Sequence, residues 1–152
     1  MPPTQTAPSI RKPGTQATTR RKLFVNIPVS DLQRSVDFFE GLDFTFNPQF
    51  CDATGTCMLV GEDAYFMLLA RDRFKDFSKR SSGDPSKETN ALFAISVDSR
   101  GAVDNLVNKA VSAGGSRIGN PQDHGFMYLS SFYDLDGYHW EVFWMDPTTI
   151  RG

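Results

Sequence analysis

Two side chains in the second half of the chain are the strongest candidates for acid–base chemistry. His124 stands just before a predicted strand, and Glu141 lies within the last predicted strand. Histidine changes its charge near neutral pH, and a carboxylate in an apolar cavity can act as a general base or bind a polar group of a ligand. A purely structural role remains open for both residues. The sequence therefore predicts Glu141 and His124 as candidate catalytic residues.

A second set of side chains is suited to holding a small molecule. Asn26 can hydrogen-bond a ligand, or it can bond Glu141 or the backbone. His139 begins the last strand on the same face as Glu141, at the rim of a cavity or at the surface. Aromatic side chains at strand spacing can stack on a planar ligand, although such stripes also fill cores. The aromatic candidates are Phe24, Tyr65, Tyr128, Phe132 and Phe143.

Phe24 and Asn26 lie on a predicted strand that precedes an amphipathic helix. Val25, Ile27 and Val29 alternate on one face of this strand, and Phe24 and Asn26 lie on the other. The β-branched face should pack under the apolar stripe of the helix, so the Phe24 face should point towards whatever the sheet encloses. Further strands are predicted over residues 44–46, 56–60 and 64–70.

The same pattern recurs in the second half of the chain, where Val-Asp-Ser at 97–99 aligns with Val-Ser-Asp at 29–31. Each copy is a strand, a helix and three strands. We predict one domain over residues 22–147, made of module 1 (22–70), a linker (71–90) and module 2 (91–147). The predicted fold class is α+β, with paired βαβββ modules and two mostly antiparallel sheets enclosing a cleft. The helices are expected on the outer faces of the sheets, and the cleft is the default ligand site.

The two ends of the chain and the charge distribution separate a tail from an acidic body. Residues 1–21 are rich in Pro, Thr, Gln and basic side chains and are predicted to be a disordered basic tail; residues 148–152 form a short second tail. Residues 1–22 hold five basic and no acidic side chains, and the rest holds 11 basic and 18 acidic ones, a net charge of −7. We therefore expect no nucleic-acid partner for the folded body.

Several protein classes find no support in the sequence. No apolar run approaches the roughly 18 residues of a membrane span, and no signal-peptide core is present, so we expect no membrane partner. Cys51 and Cys57 lack zinc-site spacing and predict reduced thiols in a cytoplasmic protein. Motifs of a Ser-His-Asp triad, a P-loop or a dinucleotide-binding loop are absent from the sequence.

Two stretches at the ends of the domain resemble signatures of a known family. VSDLQRSVDFF at 29–39 resembles the opening signature of the vicinal oxygen chelate superfamily, which includes glyoxalase I, bleomycin-resistance proteins and extradiol dioxygenases. DLDGYHWEV at 134–142 is similar to its closing signature, Asp-Pro-Asp-Gly-x-x-x-Glu-Leu. The resemblance spans residues 23–147 and implies a paired βαβββ fold that often forms a homodimer.

The resemblance also implies a divalent metal held by four side chains, one from each inner strand of the two modules. These four positions fall on Phe24, Met67, Leu92 and Glu141. Phe and Leu offer no lone pair, a thioether prefers soft ions, and a catalytic zinc usually needs three protein ligands. We therefore expect no metal and no other cofactor at this position, and we count Met67 and Leu92 among the ligand-binding residues.

The function predicted from the resemblance and from these departures is binding. We expect a vicinal oxygen chelate protein that holds a small, partly apolar molecule in its inter-module cleft without the usual metal, as a homodimer. The alternative is a glyoxalase-type lyase or isomerase, similar to lactoylglutathione lyase, with a rearranged metal or acid–base site. Whether the modules pair within one chain or across a dimer stays open.

Overall fold

The computed structural model describes Ser9, Gly14 and residues 19–149. The predicted disordered tail over residues 1–21 lies mostly outside these residues, as does part of the C-terminal tail. Within them, each module contains the five predicted elements in the predicted order. Module 1 comprises β1 (Leu23–Val29), α1 (Leu32–Gly41), β2 (Thr45–Asn47), β3 (Gly55–Gly61) and β4 (Ala64–Ala70). After the short helix α2 (Arg71–Lys75), module 2 comprises β5 (Leu92–Ser96), α3 (Arg100–Ser112), β6 (Ser116–Asp123), β7 (Met127–Tyr133) and β8 (His139–Met145).

Capping side chains define where the two module helices begin. The Asp31 carboxylate accepts a hydrogen bond from the Arg34 backbone N–H at 3.0 Å, and the Ser99 hydroxyl accepts one from the Ala102 N–H at 3.0 Å. Each bond satisfies a backbone donor that has no partner inside the helix, which typically stabilises a helix by about 1 kcal/mol. The helices therefore start where the sequence pattern predicts.

The strands form two four-stranded sheets of the same topology. Sheet 1 has the order β1-β4-β3-β2, and sheet 2 has the order β5-β8-β7-β6. In each sheet the first strand of the module runs parallel to its last strand, β1 to β4 and β5 to β8, and the other pairs are antiparallel. The predicted α+β fold of paired βαβββ modules with mostly antiparallel sheets is confirmed.

Both sheets turn their helix-covered faces towards one shared core. The Phe66 ring of sheet 1 lies 4.8 Å from the Trp140 ring of sheet 2. Phe38 and Phe39 of α1 reach rings of sheet 2, with Phe39 at 5.4 Å from Trp140 and Phe38 at 6.2 Å from Phe132. All five side chains are almost fully buried, and burying a ring of this size contributes about 2–3 kcal/mol.

This core corrects the expected position of the first helix. Because α1 contacts both sheet 1 and sheet 2, it lies between the sheets and not on an outer face. The opposite, helix-free faces are therefore turned away from the shared core. Phe24 and Leu92, predicted to line a cleft, are 48% and 53% exposed in the single chain.

The two stretches that carry the family resemblance contact each other. The Asp136 carboxylate accepts a hydrogen bond from the Ser30 backbone N–H at 2.9 Å, and the Ser35 hydroxyl lies 3.4 Å from its second oxygen. The Tyr138 hydroxyl donates to the Pro28 carbonyl at 2.7 Å. These hydrogen bonds join the turn between β7 and β8 to the end of β1 and the start of α1. Both stretches therefore contribute to the interface between the two modules.

Asp134 holds the same turn from inside. Its carboxylate accepts hydrogen bonds from three successive backbone N–H groups at 3.0–3.1 Å and from the indole Nε1 of Trp140 at 2.9 Å. Burial raises the pKa of Asp134 to about 6, although these donors favour the charged form. Gly137 follows with φ +99°, where an added Cβ would lie 2.7 Å from the Ser86 Cα, so glycine is required for the linker to pass this turn.

Candidate functional site

The helix-free face of sheet 1, which we call outer face 1, carries four of the predicted ligand-binding residues. Phe24 lies beside Tyr65 on the paired strands β1 and β4, and Asn26 lies beside Met67. The Phe24 and Tyr65 rings stack with centroids 4.7 Å apart, and the Lys22 Nζ lies 5.9 Å from the Tyr65 ring centre. The Asn26 amide donates to the Phe24 carbonyl at 3.3 Å. Outer face 1 is thus an aromatic and apolar surface with one amide group and the Lys22 ammonium at its edge.

The helix-free face of sheet 2, which we call outer face 2, repeats this register with different side chains. Leu92 lies beside His139 on β5 and β8, as Phe24 does beside Tyr65. The next pair on the same face places Glu141 beside Ala94. Phe143 follows two residues further along β8 on the same face. The predicted ligand-binding residues of module 2 on β5 and β8 therefore share one surface.

Glu141 has no polar partner among the residues that the structure describes. Ser131 lies opposite it on β7, yet neither the Ser131 hydroxyl nor any described lysine, arginine or histidine bonds the Glu141 carboxylate. The His139 ring instead packs edge-on against Tyr133, with centroids 5.6 Å apart. Glu141 is partly buried, and its neighbours on this face are Ala94, Ser131, His139 and Phe143.

The four positions that the resemblance assigns to a metal do not form a suitable donor set. Phe24 and Met67 lie on adjacent strands of outer face 1, and Leu92 and Glu141 on adjacent strands of outer face 2. Only Glu141 offers an oxygen donor, whereas catalytic divalent ions usually have three protein ligands. In residues 19–149, no group of three or more His, Cys, Asp or Glu side chains could hold a metal ion. The residues present do not fit the family's metal.

Two predicted ligand-binding residues lie on the wrong face of β7. Phe132 is fully buried and stacks against Trp140 at 6.4 Å, on the helix-covered side of sheet 2. Tyr128 shares that side, and its hydroxyl donates to the Asp104 carboxylate of α3 at 2.6 Å. Alternation along β7 separates both from Phe143, which pairs with Leu129 on the outer face. Their assignment to the ligand surface is corrected: they belong to the core.

The two candidate catalytic residues lie at different levels of sheet 2. His124 is exposed in the turn after β6, and its backbone N–H donates to the Met127 carbonyl at 2.8 Å. Met127 pairs with Met145, which is four residues from Glu141 along β8, a separation of about 13 Å at the usual rise of a strand. The structure does not bring His124 and Glu141 together.

A cavity that the sequence pattern did not predict lies under the linker. Its volume is about 300 Å³, and its walls include Phe74 of α2, Glu88 of the linker, and Phe93, Tyr138 and His139 of module 2. Three aromatic rings make much of the wall apolar. No sequence signal pointed to this cavity, because the linker folds over module 2 only through tertiary contacts such as the one at Gly137.

The two cysteines differ in their exposure. Cys51 is exposed and Cys57 is buried, and both are free thiols. Burial raises the pKa of the Cys57 thiol, which makes it a poorer nucleophile at neutral pH. In the part of the chain that the structure describes, no helix is long and apolar enough to cross a membrane.

Comparisons with known proteins identify the architecture as a recurrent one. A family model described as the Glyoxalase/Bleomycin resistance protein/Dioxygenase superfamily matches residues 21–142. No curated protein matches the chain. A hypothetical protein from S. aureus is 28% identical over 82% of this chain and 94% of its own, with a TM-score of 0.69.

Two further solved structures resemble this chain in fold. A glyoxalase/bleomycin resistance protein/dioxygenase family enzyme from Burkholderia phytofirmans PsJN is 19% identical over 80% of this chain and 96% of its own, with a TM-score of 0.66. A glyoxalase-related enzyme from Fulvimarina pelagi is 17% identical over 83% of this chain and 88% of its own, with a TM-score of 0.70. At these identities the likeness concerns the fold alone.

Proposed function

This chain belongs to the glyoxalase/bleomycin resistance protein/dioxygenase superfamily, and from that premise we propose that it binds a small, partly apolar molecule between outer faces 1 and 2, without a divalent metal. The proposal rests on which side chains occupy the four positions that the family resemblance assigns to a metal. Phe24, Met67 and Leu92 present apolar surface where a metal centre needs oxygen, nitrogen or thiolate donors. Apolar walls with a few polar groups are typical of small-molecule sites.

A homodimer is part of the same proposal. The helix-covered faces of one chain meet in its own core, so outer faces 1 and 2 of that chain point away from each other. Phe24 and Leu92 then lie exposed on these faces, and exposed apolar patches on paired strands favour association. A second copy would lay its outer face 1 over outer face 2 of the first chain, and the two-fold axis would repeat the contact. Each cleft would form between chains.

The proposal also includes a cytoplasmic location for the protein. Cys51 and Cys57 are its two cysteines, and both are free thiols, which suits a reducing compartment.

Catalysis of the glyoxalase type is the second candidate, and one observation favours it. Glu141 lies on outer face 2 without a polar partner among the described residues, and a carboxylate in such surroundings could accept a proton from a bound substrate. Turnover of methylglyoxal with glutathione that is lost in a Glu141→Ala variant would support this candidate. Equal turnover in the variant would remove the role of that side chain.

A pair of leucines provides a matched test of the binding proposal. Leu92 on outer face 2 is 53% exposed, and Leu23 at the start of β1, outside the predicted ligand set, is 61% exposed. We expect Leu92→Asp to weaken the dimer at least 100-fold, because it buries a charge in the contact. The same variant should lose the fluorescence of bound Nile red, a neutral apolar dye. Leu23→Asp should retain both. Sedimentation and dye titration measure the two effects.

The outcomes separate the two parts of the proposal. A monomer that still binds Nile red at outer face 2 would overturn the homodimer and keep the binding surface. Equal effects of Leu92→Asp and Leu23→Asp would overturn the assignment of the outer faces as the site. Stoichiometric zinc, nickel, manganese or iron in protein purified without chelator would overturn the metal-free cleft.

A further inference from the structure

We propose that Glu141 makes the cleft selective for ligands that carry a cationic group, such as an amine or a guanidinium, on an apolar body. The inference rests on the proposed function and names the class of ligand that the cleft would accept. It starts from an imbalance on outer face 2, where the Glu141 carboxylate lies beside Ala94, Ser131 and His139 and forms no ion pair with any described side chain.

The surroundings of Glu141 leave its carboxylate without an internal cation. Its strand neighbours on the outer face are Ala94 on one side and Ser131 on the other. His139 lies two residues away on β8, but among the described residues it forms no ion pair with Glu141, and its ring packs against Tyr133. A positive partner for Glu141 must therefore come from outside this face.

The opposite wall of the proposed cleft cannot supply that partner at the matching position. In module 1, Met67 occupies the place that Glu141 has in module 2, because Met67 pairs with Asn26 as Glu141 pairs with Ala94. The rings of Phe24 and Tyr65 flank it on outer face 1. The side chains that would face Glu141 are thus apolar or aromatic, and the Lys22 ammonium of this wall lies against the Tyr65 ring.

Aromatic rings and a carboxylate together favour a cation. In a single chain, water still reaches the Glu141 carboxylate, which is partly exposed. Closing the cleft would remove that water, and an unpaired carboxylate in an apolar site is strongly unfavourable. A cationic ligand replaces the lost hydration with a charge-assisted hydrogen bond. Tyr65 already has the Lys22 Nζ at 5.9 Å from its ring centre, so this surface accepts positive charge.

Three naphthalene probes of similar shape and different charge test the inference. They are 1-naphthylmethylamine, which is a cation at neutral pH, the neutral 1-naphthalenemethanol, and the anionic 1-naphthoate. Titration calorimetry at constant ionic strength should show the amine binding about tenfold tighter than the alcohol. Naphthoate should bind more weakly than either.

Two isosteric variants show whether Glu141 causes the preference. Glu141→Gln should reduce the advantage of the amine over the alcohol to below about twofold, mainly by weakening the binding of the amine. Glu40→Gln removes the same charge from the exposed surface of α1 and should leave the tenfold preference intact. It controls for the general attraction of cations to an acidic body.

The possible outcomes distinguish the cation preference, the role of Glu141 and the proposed binding function. Binding of amine and alcohol with equal affinity would overturn the cation preference and keep the apolar cleft. A preference that persists in Glu141→Gln would overturn the role of this side chain. Absence of binding by all three probes would overturn the proposed function together with the inference.

Discussion

The two modules share a backbone plan and differ in the side chains placed on it. Met67 lies on outer face 1 at the position that Glu141 has on outer face 2. On the helix-covered side, Thr56 pairs with Leu68 as Ser130 pairs with Val142. The core side is alike in both modules and the outer side is not. Packing against a helix constrains one face of each sheet, whereas the other face is free to carry function.

The modules differ again at the turn between their last two strands. Module 1 connects β3 to β4 through the two residues Glu62 and Asp63. Module 2 uses a longer turn around the buried carboxylate of Asp134, with Asp136 reaching across to Ser30 of module 1. Of the two turns, the one in module 2 hydrogen-bonds across to the other module.

Introducing metal donors at the three positions that lack them tests whether these side chains alone prevent the two outer faces from binding a metal. We expect the triple variant Phe24→His, Met67→Glu, Leu92→His to bind Zn²⁺ at micromolar or lower concentration, whereas the parent binds more weakly than millimolar, a change of at least about 4 kcal/mol. Metal analysis after dialysis measures it. Adding Glu141→Ala should weaken the new site. A triple variant that binds no zinc would show that the four positions do not converge.

Removing the buried Asp134 carboxylate should destabilise the protein far more than removing the partly exposed Asp63 carboxylate in the corresponding turn of module 1. Asp134→Ala leaves four donors in a buried turn without their acceptor, and we expect a loss of about 4 kcal/mol in the free energy of unfolding. Asp63→Ala removes an exposed pairing with Arg20 and should cost about 0.5 kcal/mol. Urea denaturation measures both. Equal losses would contradict the structural role of the Asp134 carboxylate in its turn.

The pKa of Asp134 predicts a dependence of stability on pH. Because the pKa is about 6 in the folded protein and 3.8 as a reference, the folded state binds the proton more tightly than the unfolded chain. This stabilisation is complete below about pH 3.8 and is lost as the pH rises through about 6. Relative to Asp134→Asn, the wild type should lose about 2 kcal/mol of unfolding free energy between pH 4.5 and pH 7. A change of opposite sign would mean that the four donors outweigh burial.

The smallest predicted effect is a gain of stability that should be similar in both modules. Thr56 and Ser130 lie at equivalent positions, and among the described residues their hydroxyl oxygens are the two buried side-chain atoms without a hydrogen-bond partner. Replacing an unsatisfied buried hydroxyl by an apolar group of similar shape relieves its desolvation penalty. Thr56→Val and Ser130→Ala should each gain about 1 kcal/mol in thermal unfolding experiments. A loss in one module alone would reveal a partner specific to that module.

Short-range pattern was sufficient for most elements and failed where turn residues interrupt a strand. β4 was predicted over residues 64–70 and is found as Ala64–Ala70. β6 spans Ser116–Asp123, although its sequence contains residues typical of turns. Gly119, with φ +62°, and Pro121 concealed it, because its pairing with β7 shifts register between Ile118 and Gln122. An irregular strand is held by its partner and not by its own alternation.

The face of the sheet on which a candidate residue lies could be predicted only where the alternation along its strand clearly marks the core side. Phe24, Asn26 and Glu141 lie on the helix-free faces as expected, because the apolar residues between them mark the core side. Phe132 was assigned to the wrong face, since both faces of β7 carry aromatic or apolar side chains and alternation alone does not orient such a strand.

The amino-acid sequence by itself determined the repeated βαβββ plan and the capped helices, because local periodicity and residue chemistry are sufficient for these. It also showed that three of the four positions that the family resemblance assigns to a metal lack an oxygen, nitrogen or thiolate donor. Only the tertiary structure decided that the helix-covered faces meet in one core and that the outer faces of a chain point apart. That outcome depends on contacts between residues far apart in the chain, such as Phe66 with Trp140 and Ser30 with Asp136. No local pattern encodes which face of one module will be buried against the other.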